Sequence, residues 1–403
     1  MNKFVRKDRT MKVTFSGATA YNVNDKTFVG NTGMTAMTVS SRISSVIDCS
    51  DYYIFPGFAD VHVHFREPGF SYKETVKTGS EAAAHGGYTT VGTMPNLNPA
   101  PDSLENLGIQ LDLIKRGSVI RTIPFGTITK GENGKELSDL EAMAPFVIGY
   151  SDDGKGVDDE GLMREAMARA ARLGKVVSAH CEDGTQIKDS PEAEWKEIER
   201  DIKLASETGV KFHVCHISTK ESVSLIRDAK KSGVDITCET GPHYMLFSRK
   251  DERDDGRFRF NPPLREEADR LALIEGLVDG TVDMIATDHA PHSAQEKSMG
   301  LKSLNGIVGL ETAFPVMYTE FVKKGIIPLE KLIELMGVAP YERFGLKQNG
   351  FTVWNLNKEY VIDPADFKSM GRCTPFDGRC VFGECMATVA DGELVYINKA
   401  LAN

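Results

Sequence analysis

The sequence has little positive charge and no long apolar run. Its 403 residues contain 48 Lys and Arg against 58 Asp and Glu, a formal net charge of -10. That balance argues against nucleic acid or an anionic membrane as the main partner. No stretch approaches the roughly 20 apolar residues of a membrane span, and no apolar segment of signal-peptide type follows the basic N-terminus. We therefore expect a cytoplasmic protein that binds neither nucleic acid nor membrane.

Cysteine is too scarce and too scattered for a disulfide framework. The seven cysteines are odd in number, which fits a reducing compartment. Cys373, Cys380 and Cys385 cluster near the C-terminus, but they form no CxxC pair. Ordinary reduced thiols are therefore a better interpretation of this cluster than a structural zinc site.

What the sequence does have is a regular alternation of short β-rich runs and longer amphipathic stretches, from about residue 54 to residue 325. The runs predict strands over 54–64, 89–94, 119–127, 146–151, 176–181, 211–216, 235–239 and 283–287. Helices are predicted between them, over 72–84, 103–116, 160–173, 193–207, 220–231, 266–278 and 309–323. Such βα repetition predicts an α/β protein with a (β/α)8 TIM barrel, whose active site lies at the C-terminal ends of the strands. A doubly wound open sheet is the alternative, but no GxGxxG follows the first strand.

The two flanks of this region have a different pattern. Short β-prone pieces separated by Gly and Asp-Gly turns occur over 11–15 and 35–39, and again over 380–382, 387–389 and 394–397. Neither flank has enough apolar surface for its own core. We therefore expect residues 1–53 and 346–403 to pack together as one small β-sandwich domain beside a barrel over 54–345.

Histidines and aspartates recur at the predicted strand ends. The first strand ends in His62-Val63-His64-Phe65-Arg66, and alternation along a strand would place both imidazoles and the guanidinium on one face. Further histidines and aspartates follow the fourth, fifth, sixth and eighth strands: Asp152, Asp153, His180, His213, His216 and Asp288. Nitrogen and oxygen ligands from five strands predict a dinuclear metal site suited to zinc.

The residues also suggest how the ligands divide. One ion would be held by His62, His64 and Asp288, and the other by His180 and His216. Asp153 would bridge the two ions, although the pattern favours it over Asp152 only modestly. His213 is out of phase with His216, so a packing role is expected for it.

This arrangement indicates a chemistry. Two metals that share a water lower its pKa and make hydroxide available at neutral pH. Asp288 follows the last strand, near that water, and is the expected general base that later returns a proton to the leaving nitrogen. Arg66 beside the metals indicates an anionic substrate.

Taken together, six segments resemble the dihydroorotase family, in its class I bacterial type, within the amidohydrolase superfamily. The segments are residues 57–69 (GFADVHVHFREPG), 93–96 (TMPN), 151–154 (SDDG), 180–183 (HCED), 261–265 (NPPLR) and 286–292 (ATDHAPH). The resemblance implies a barrel with a small β domain and two zinc ions bridged by Asp153 and a hydroxide. It also implies the reversible cyclisation of N-carbamoyl-L-aspartate to L-dihydroorotate, in de novo pyrimidine (UMP) biosynthesis.

The resemblance further implies a set of substrate contacts. Arg66 and Asn96 would bind the substrate carboxylate. The other implied contacts are His64, Asn261, His292, and Asn305 and Gly306 at the end of a loop over 293–305 that would cover the substrate. A homodimer and an aspartate transcarbamoylase partner are both compatible with the resemblance. The chain departs from the usual pattern in a shorter segment between His180 and His216, and in Asn305, where an aromatic residue is common.

Two other functions stay open at this point. Another cyclic amidohydrolase, such as an allantoinase or a dihydropyrimidinase, would share the barrel and the metals, but its uncharged ring would leave Arg66 and Asn96 without a carboxylate. A catalytically silent dihydroorotase-like subunit of a transcarbamoylase complex usually lacks metal ligands. All six expected ligands are present in this sequence.

Overall fold

The computed structural model describes residues 11–30, 37–41 and 45–401. Its strands are β1 (Met11–Ser16), β2 (Thr19–Asn22), β3 (Thr27–Val29), β4 (Met37–Ser41), β5 (Ser45–Asp48), β6 (Tyr53–Pro56), β7 (Phe58–Val63), β8 (Tyr88–Thr93), β9 (Arg121–Pro124), β10 (Gly149–Tyr150), β11 (Val176–Ala179), β12 (Lys211–Val214), β13 (Ile236–Thr240), β14 (Met284–Ile285), β15 (Gly350–Val361), β16 (Cys380–Ala390) and β17 (Glu393–Ile397). The basic N-terminus (1–10) and part of the predicted strand at 35–39 lie outside the described residues.

The α-helices of the described chain are α1 (Val76–His85), α2 (Leu104–Gly117), α3 (Leu140–Met143), α4 (Glu160–Arg172), α5 (Pro191–Thr208), α6 (Lys220–Lys231), α7 (Pro242–Leu246), α8 (Glu267–Asp279), α9 (Ala313–Met317), α10 (Leu329–Gly337) and α11 (Ala339–Arg343). Short 3-10 turns lie at Lys130–Glu132, Arg249–Asp251, Gly256–Phe258, Gly300–Lys302, Pro364–Asp366 and Lys399–Leu401. None of these helices has both the length and the apolar character that crossing a bilayer requires.

Eight parallel strands, β7 to β14, form a barrel. β7, β8 and β9 pair in parallel, and so do β10 to β14. Two isolated parallel bridges complete the ring, one between Gly126 and Tyr150 and one between Val63 and His289. All residues of β7 and β8 are buried, as expected for strands covered on both faces. The predicted barrel is confirmed.

The first predicted strand, over 54–64, is wrong as a single element. It consists of β6 and β7, which are separated at Gly57. A Cβ at Gly57 would lie 2.2 Å from the Thr89 hydroxyl oxygen, so only glycine allows the chain to pass so close to β8. β6 pairs with β2 and β15 outside the barrel, and β7 alone is the first barrel strand.

Most barrel helices lie where the sequence predicts them, but two do not. The predicted helix over 72–84 starts only at Val76, because Thr75 caps α1 by accepting a hydrogen bond from the backbone N–H of Thr78. The predicted helix over 309–323 is α9 followed by a π-helical turn, Tyr318–Val322. The short helices α3, α7, α10 and α11 were not predicted.

The flanks of the chain meet in one sheet. Its nine described strands have the order β3-β2-β6-β15-β16-β17-β4-β1-β5. One core of this sheet combines Val13 and Phe15 from the N-terminal flank with Val353 and Val389 from the C-terminal flank. This is the β domain expected from both ends of the chain. The exact division, with 1–53 and 346–403 in one domain and 54–345 in the other, stays a prediction.

Candidate metal centre and substrate site

The histidines and aspartates predicted at the strand ends meet in one buried cluster at the C-terminal end of the barrel. His62 is the penultimate residue of β7, and the other members lie just beyond β7, β10, β11, β12 and β14. None is more than 7% exposed. We call these six side chains the ligand cluster: His62, His64, Asp153, His180, His216 and Asp288.

Asp153 lies at the centre of the ligand cluster. Its Oδ1 is 3.2 Å from His62 Nε2 and 3.6 Å from His216 Nε2. Its Oδ2 is 3.4 Å from His64 Nε2, while His180 Nδ1 is 3.9 Å from Oδ1. Burial disfavours the charged carboxylate, but the facing imidazoles outweigh burial and hold the pKa of Asp153 well below its usual range. An ionised carboxylate therefore contacts the imidazoles of both expected ion sites.

Asp152 has a different role from its neighbour. Its carboxylate accepts hydrogen bonds from the backbone N–H groups of Ile128, at 2.7 Å, and Thr129, at 3.1 Å, and from the Thr129 hydroxyl. These bonds tie the turn after β10 to the turn after β9. They leave Asp153 to face the ligand cluster, a choice that the sequence pattern left open.

The backbone is strained at two members of the cluster. Asp288 has a backbone φ of +47° and His216 one of +29°. Both values lie in the left-handed region, which residues other than glycine rarely adopt. Such conformations cost of order 1–3 kcal/mol each and occur often at functional sites. The strained turn brings Asp288 Oδ1 to 3.0 Å from His64 Nε2 and 3.6 Å from His62 Nε2.

The donor set of the cluster fits metal ions. Within the described chain, His62 Nε2 and Asp153 Oδ1 are buried atoms that make no hydrogen bond. Burying such an atom without a partner costs about 1–3 kcal/mol, a cost that a bound ion removes. Three groups of described residues have ligand atoms within 4.8 Å of one another, and two of them belong to the ligand cluster: His62, His64 and Asp153, and Asp153, His180 and His216. Imidazole nitrogens with carboxylate oxygens are ligands that zinc takes.

Glu239, at the end of β13, is a residue of the candidate site that sequence reasoning missed. Its Oε1 lies 2.6 Å from His62 Nδ1, and its Oε2 lies 3.2 Å from His213 Nε2. Burial opposes its charge, but His62 and His213 prevail and lower the pKa of Glu239 to about 2. A carboxylate in this position fixes the ring of His62 and leaves Nε2 for a metal. A glutamate within a predicted buried strand was the available signal.

His213 is therefore more than a packing residue. Its ring does pack against Phe344, with centroids 5.4 Å apart. Its two nitrogens also lie 2.8 Å from the Thr237 hydroxyl and 3.2 Å from Glu239. The expectation of a packing role was incomplete, since His213 helps to hold the carboxylate that orients His62.

His180 has a carboxylate of its own. Its Nδ1 faces the cluster, 2.9 Å from His216 Nε2, and its Nε2 lies 3.4 Å from Glu182 Oε2. Asn261 Nδ2 also lies 3.3 Å from Glu182 Oε2, so Glu182 connects a candidate metal ligand to a candidate substrate contact. Glu182 was not predicted to take part in the site.

A cavity of about 250 Å³ opens beside the ligand cluster. Its walls include every substrate contact that the family resemblance implied: His64, Arg66, Asn96, Asn261, His292, Asn305 and Gly306. A larger cavity of about 500 Å³ lies between the barrel and β15 to β17, but no member of the ligand cluster lines it. The smaller cavity is therefore the candidate substrate site.

Arg66, Asn96, His292 and Asn305 form one end of this cavity, which we call the anion end. Arg66 is 8% exposed and has φ +56°. We expected strand alternation to direct Arg66 to the same face as the two histidines. Because β7 ends at Val63, a left-handed turn directs Arg66 into the cavity instead. Its Nε donates to the Pro291 carbonyl at 3.2 Å, and its Nη2 lies 3.4 Å from His292 Nε2.

One further contact and the protonation state of His292 characterise the anion end. Asn96 Oδ1 lies 2.8 Å from His64 Nδ1, which links this end to the ligand cluster. Burial lowers the pKa of His292, and the nearby charges of Arg66 and Lys73 lower it further, to about 3. His292 is therefore a neutral ring beside two cations.

Comparison with known proteins agrees with this geometry. A family model described as dihydro-orotase-like matches residues 52–194. The dihydroorotase of Fusobacterium nucleatum subsp. nucleatum is 48% identical, with 89% of this chain and 91% of the relative covered. The dihydroorotase of Bacillus subtilis is 45% identical, with 87% of this chain and 89% of the relative covered.

Solved structures with the same fold are more distant in sequence. An L-hydantoinase (dihydropyrimidinase) from Arthrobacter aurescens is 24% identical, with a TM-score of 0.82 over 95% of both chains. A dihydropyrimidinase from Brevibacillus agri NCHU1002 is 20% identical, with a TM-score of 0.82 over 96% of both chains. At these identities the likeness is one of fold. The sequence relatives are far closer and extend over most of the chain, and by that measure the chain belongs to the dihydroorotase family.

Proposed function

We propose that this chain catalyses the reversible, zinc-dependent cyclisation of N-carbamoyl-L-aspartate to L-dihydroorotate, a step of pyrimidine biosynthesis, in the cytoplasm. The observation that carries the proposal is Arg66, a buried guanidinium in the same cavity as the ligand cluster. Its contacts among the described residues are with the Pro291 carbonyl and His292, not with a carboxylate. A buried charge without a counter-ion is costly, so an anionic substrate suits this cavity.

The ligand cluster would hold two ions. His62, His64 and Asp288 would bind one, His180 and His216 the other, and Asp153 would bridge them. When bound, zinc ions lower the pKa of a coordinated water and polarise a carbonyl oxygen. Glu239 and Glu182 orient His62 and His180, whose inward nitrogens face Asp153.

Asp288 acts as the general acid and base. Burial disfavours its charge, but hydrogen bonding to His64 and the neighbouring imidazoles keep the pKa of Asp288 below its ordinary value, so it is ionised and ready to accept a proton. During hydrolysis the ring amide C–N bond breaks, and Asp288 passes the proton taken from water to the leaving nitrogen. During cyclisation Asp288 takes a proton from the carbamoyl nitrogen, which forms the new C–N bond to the side-chain carboxyl carbon. One carboxylate oxygen leaves as water after it takes up that proton and a second proton from solvent.

The anion end binds the carboxylate that remains outside the reacting amide. Arg66 supplies charge and paired N–H donors, and Asn96 supplies an amide donor, since its Oδ1 is directed to His64. Asn261, His292, and the backbone of Asn305 and Gly306 surround the ring. A dihydropyrimidinase or allantoinase substrate has no carboxylate for Arg66. For this reason we do not propose the activity of the structural neighbours for this chain.

The silent-subunit alternative is less well supported. All six members of the ligand cluster are present and buried; five of them form two groups with ligand atoms within 4.8 Å of one another, and the sixth, Asp288, contacts His62 and His64. A homodimer and an aspartate transcarbamoylase partner stay predictions.

The test is an assay of L-dihydroorotate hydrolysis by the purified protein, before chelation, after chelation and after zinc restoration. We expect turnover that is lost with the metal and returns with about two zinc ions per chain. Hydantoin and dihydrouracil, which lack the carboxylate, are the comparison substrates and should react far more slowly. Zinc-loaded protein that leaves dihydroorotate intact, or that prefers dihydrouracil, would overturn the proposal.

A further inference from the structure

Two adjacent buried charges, Lys73 and Glu74, lie in the loop before α1 and reach the segment that carries Asp288. Lys73 is 9% exposed and Glu74 is fully buried. The sequence pattern placed both in a helix, but α1 starts only at Val76. Because they precede the helix, their side chains extend across the barrel end instead of following a helical surface.

Lys73 contacts His292. Its Nζ lies 3.2 Å from His292 Nδ1 and 3.0 Å from Glu296 Oε1. A lysine ammonium can only donate, so Nδ1 of His292 must accept, and the ring proton is on Nε2. From there it is donated to the Asn305 carbonyl, 2.7 Å away, so the 3.4 Å approach of Arg66 Nη2 to the same nitrogen is a contact and not a hydrogen bond. Lys73 thus sets the tautomer of His292. It contacts the 293–305 segment directly at Glu296 and, through His292, at Asn305.

Glu74 contacts the other histidine of the segment, His289. Its Oε2 lies 3.4 Å from His289 Nε2 and accepts a hydrogen bond from the Ser369 hydroxyl. His289 Nδ1 accepts from the backbone N–H of Gly309 at 3.3 Å, so the proton is on Nε2 and is donated to Glu74. Ser369 lies between β15 and β16, so a connection within the β domain completes this buried network.

His289 in turn supports the ligand cluster through its backbone. Its carbonyl accepts the N–H of His64 at 2.8 Å, and its bridge to Val63 joins the first and last barrel strands. It directly follows Asp288, whose left-handed backbone allows little rotation without loss of position. Fixing the His289 ring therefore fixes the peptide that presents Asp288 to the cavity.

We infer that Lys73 and Glu74 are positioning residues with separate tasks at one site. Glu74, through His289, holds Asp288 where it transfers protons, and Lys73, through His292, holds the 293–305 segment over the substrate carboxylate. The inference rests on the proposed function and extends it. The inference requires that substitutions of two neighbouring residues change different kinetic constants. A general loss of protein stability would not produce this difference.

The first measurement is steady-state kinetics on zinc-loaded variants. For Glu74→Gln we expect kcat to fall about 10- to 100-fold with KM nearly unchanged, as for other partners that orient an active-site group. For Lys73→Met we expect KM to rise about tenfold or more, with a smaller change in kcat. Lys77→Met and Glu81→Gln, on α1, are the matched controls and should keep both constants.

The second measurement needs no catalysis. Lys302 is exposed within the 293–305 segment and is a site for trypsin. We expect Lys73→Met to be cleaved there faster than the parent, and Glu74→Gln at the parental rate, with equal zinc content in both. If the parent does not turn over dihydroorotate, this result still tests the role of Lys73, so failure of the inference and failure of the proposed function are distinguishable.

A third variant covers the case in which Glu74→Gln does not fold. Ser369→Ala removes the hydroxyl that donates to Glu74 and accepts from the backbone N–H of Gly371, and it should lower kcat, less strongly, without raising KM. The inference is overturned if Lys73 and Glu74 variants show the same kinetic signature. It is also overturned if Lys73→Met leaves both KM and the cleavage rate at parental values.

Discussion

The ligand cluster and the anion end share one cavity but are built differently. Members of the ligand cluster lie on or just beyond barrel strands and contact one another across the barrel. The anion end depends on loops that long side chains hold in place. One of these is Lys297, 8% exposed, which donates to the carbonyls of Arg259 at 3.0 Å and Leu304 at 2.7 Å. On the proposed function, the barrel would position the groups that carry the chemistry and the loop contacts those that bind the substrate carboxylate, so changes in the two regions should affect different quantities.

The largest expected effect comes from the ligand cluster. Asp288→Asn keeps the shape of the side chain but removes its ability to accept a proton. We expect kcat to fall by about 10²- to 10⁴-fold, while zinc content stays close to that of the parent. Turnover of dihydroorotate and metal analysis on the same sample check this. A variant with near-normal turnover would remove Asp288 from proton transfer.

The anion end should respond in affinity instead. Arg66→Ala removes the buried guanidinium that is proposed to pair with the substrate carboxylate. We expect substrate binding to weaken by roughly 2 to 5 kcal/mol, seen as a higher KM or as weaker binding of an unreactive carboxylate analogue. Arg172→Ala, at the end of α4, serves as the control. Unchanged affinity in Arg66→Ala would exclude Arg66 from the substrate site and erase the contrast between the two regions.

A smaller effect tests how the ligand cluster is supported. Glu239→Gln removes the charge that faces His62 Nδ1 without altering any proposed ligand. We expect zinc affinity to fall about 10- to 100-fold, as is typical when a partner of a metal-bound histidine is lost. Competition with a chelator of known affinity measures the change. Parental zinc affinity would show that Glu239 has only a structural role.

The smallest effect concerns pH and the anion end. The pKa of His292 is lowered by burial from 6.5 to about 3, so between these values the unfolded chain binds a proton that the folded chain does not. Stability therefore falls as pH drops below 6.5. His292→Gln should remove the contribution of His292 to this pH dependence, which is at most about 1.4 kcal/mol of unfolding free energy per pH unit. At saturating zinc, the melting temperature of the variant should therefore fall less than that of the parent between pH 7 and pH 5. Equal slopes in parent and variant would contradict this.

Much of the fold follows from local patterns. The β-rich runs place most barrel strands within a few residues, because burial on both faces requires continuous apolar segments. The exception at 54–64 arises because Gly57 lets the chain change sheets without interrupting the apolar run. Likewise, Lys73 and Glu74 fit a helical pattern, yet the Thr75 cap starts α1 later. The hydrophobic pattern of a sequence does not predict strand breaks or helix starts that depend on a single residue.

The site divides in the same way. Five members of the ligand cluster could be named from residue type and place at a strand end, whereas for the sixth the pattern favoured Asp153 over Asp152 only modestly. Glu239 and Lys73 could not be named in this way, because their partners are distant in the chain. His62 and Glu239 are 177 residues apart, and Lys73 and His292 are 219 residues apart. Pairs so far apart meet only when the barrel closes.

The sequence alone thus determined the barrel, the identity of the side chains available for metal and carboxylate binding, and the end of the barrel where they gather. These depend on hydrophobic periodicity and on the chemistry of single residues, which are local properties. Only the tertiary structure decided that Asp153 and not Asp152 faces the ligand cluster, and which buried charges hold each histidine. The reason is physical: hydrogen bonds from Ile128 and Thr129 turn Asp152 away, and such contacts exist only between strands that folding has made neighbours.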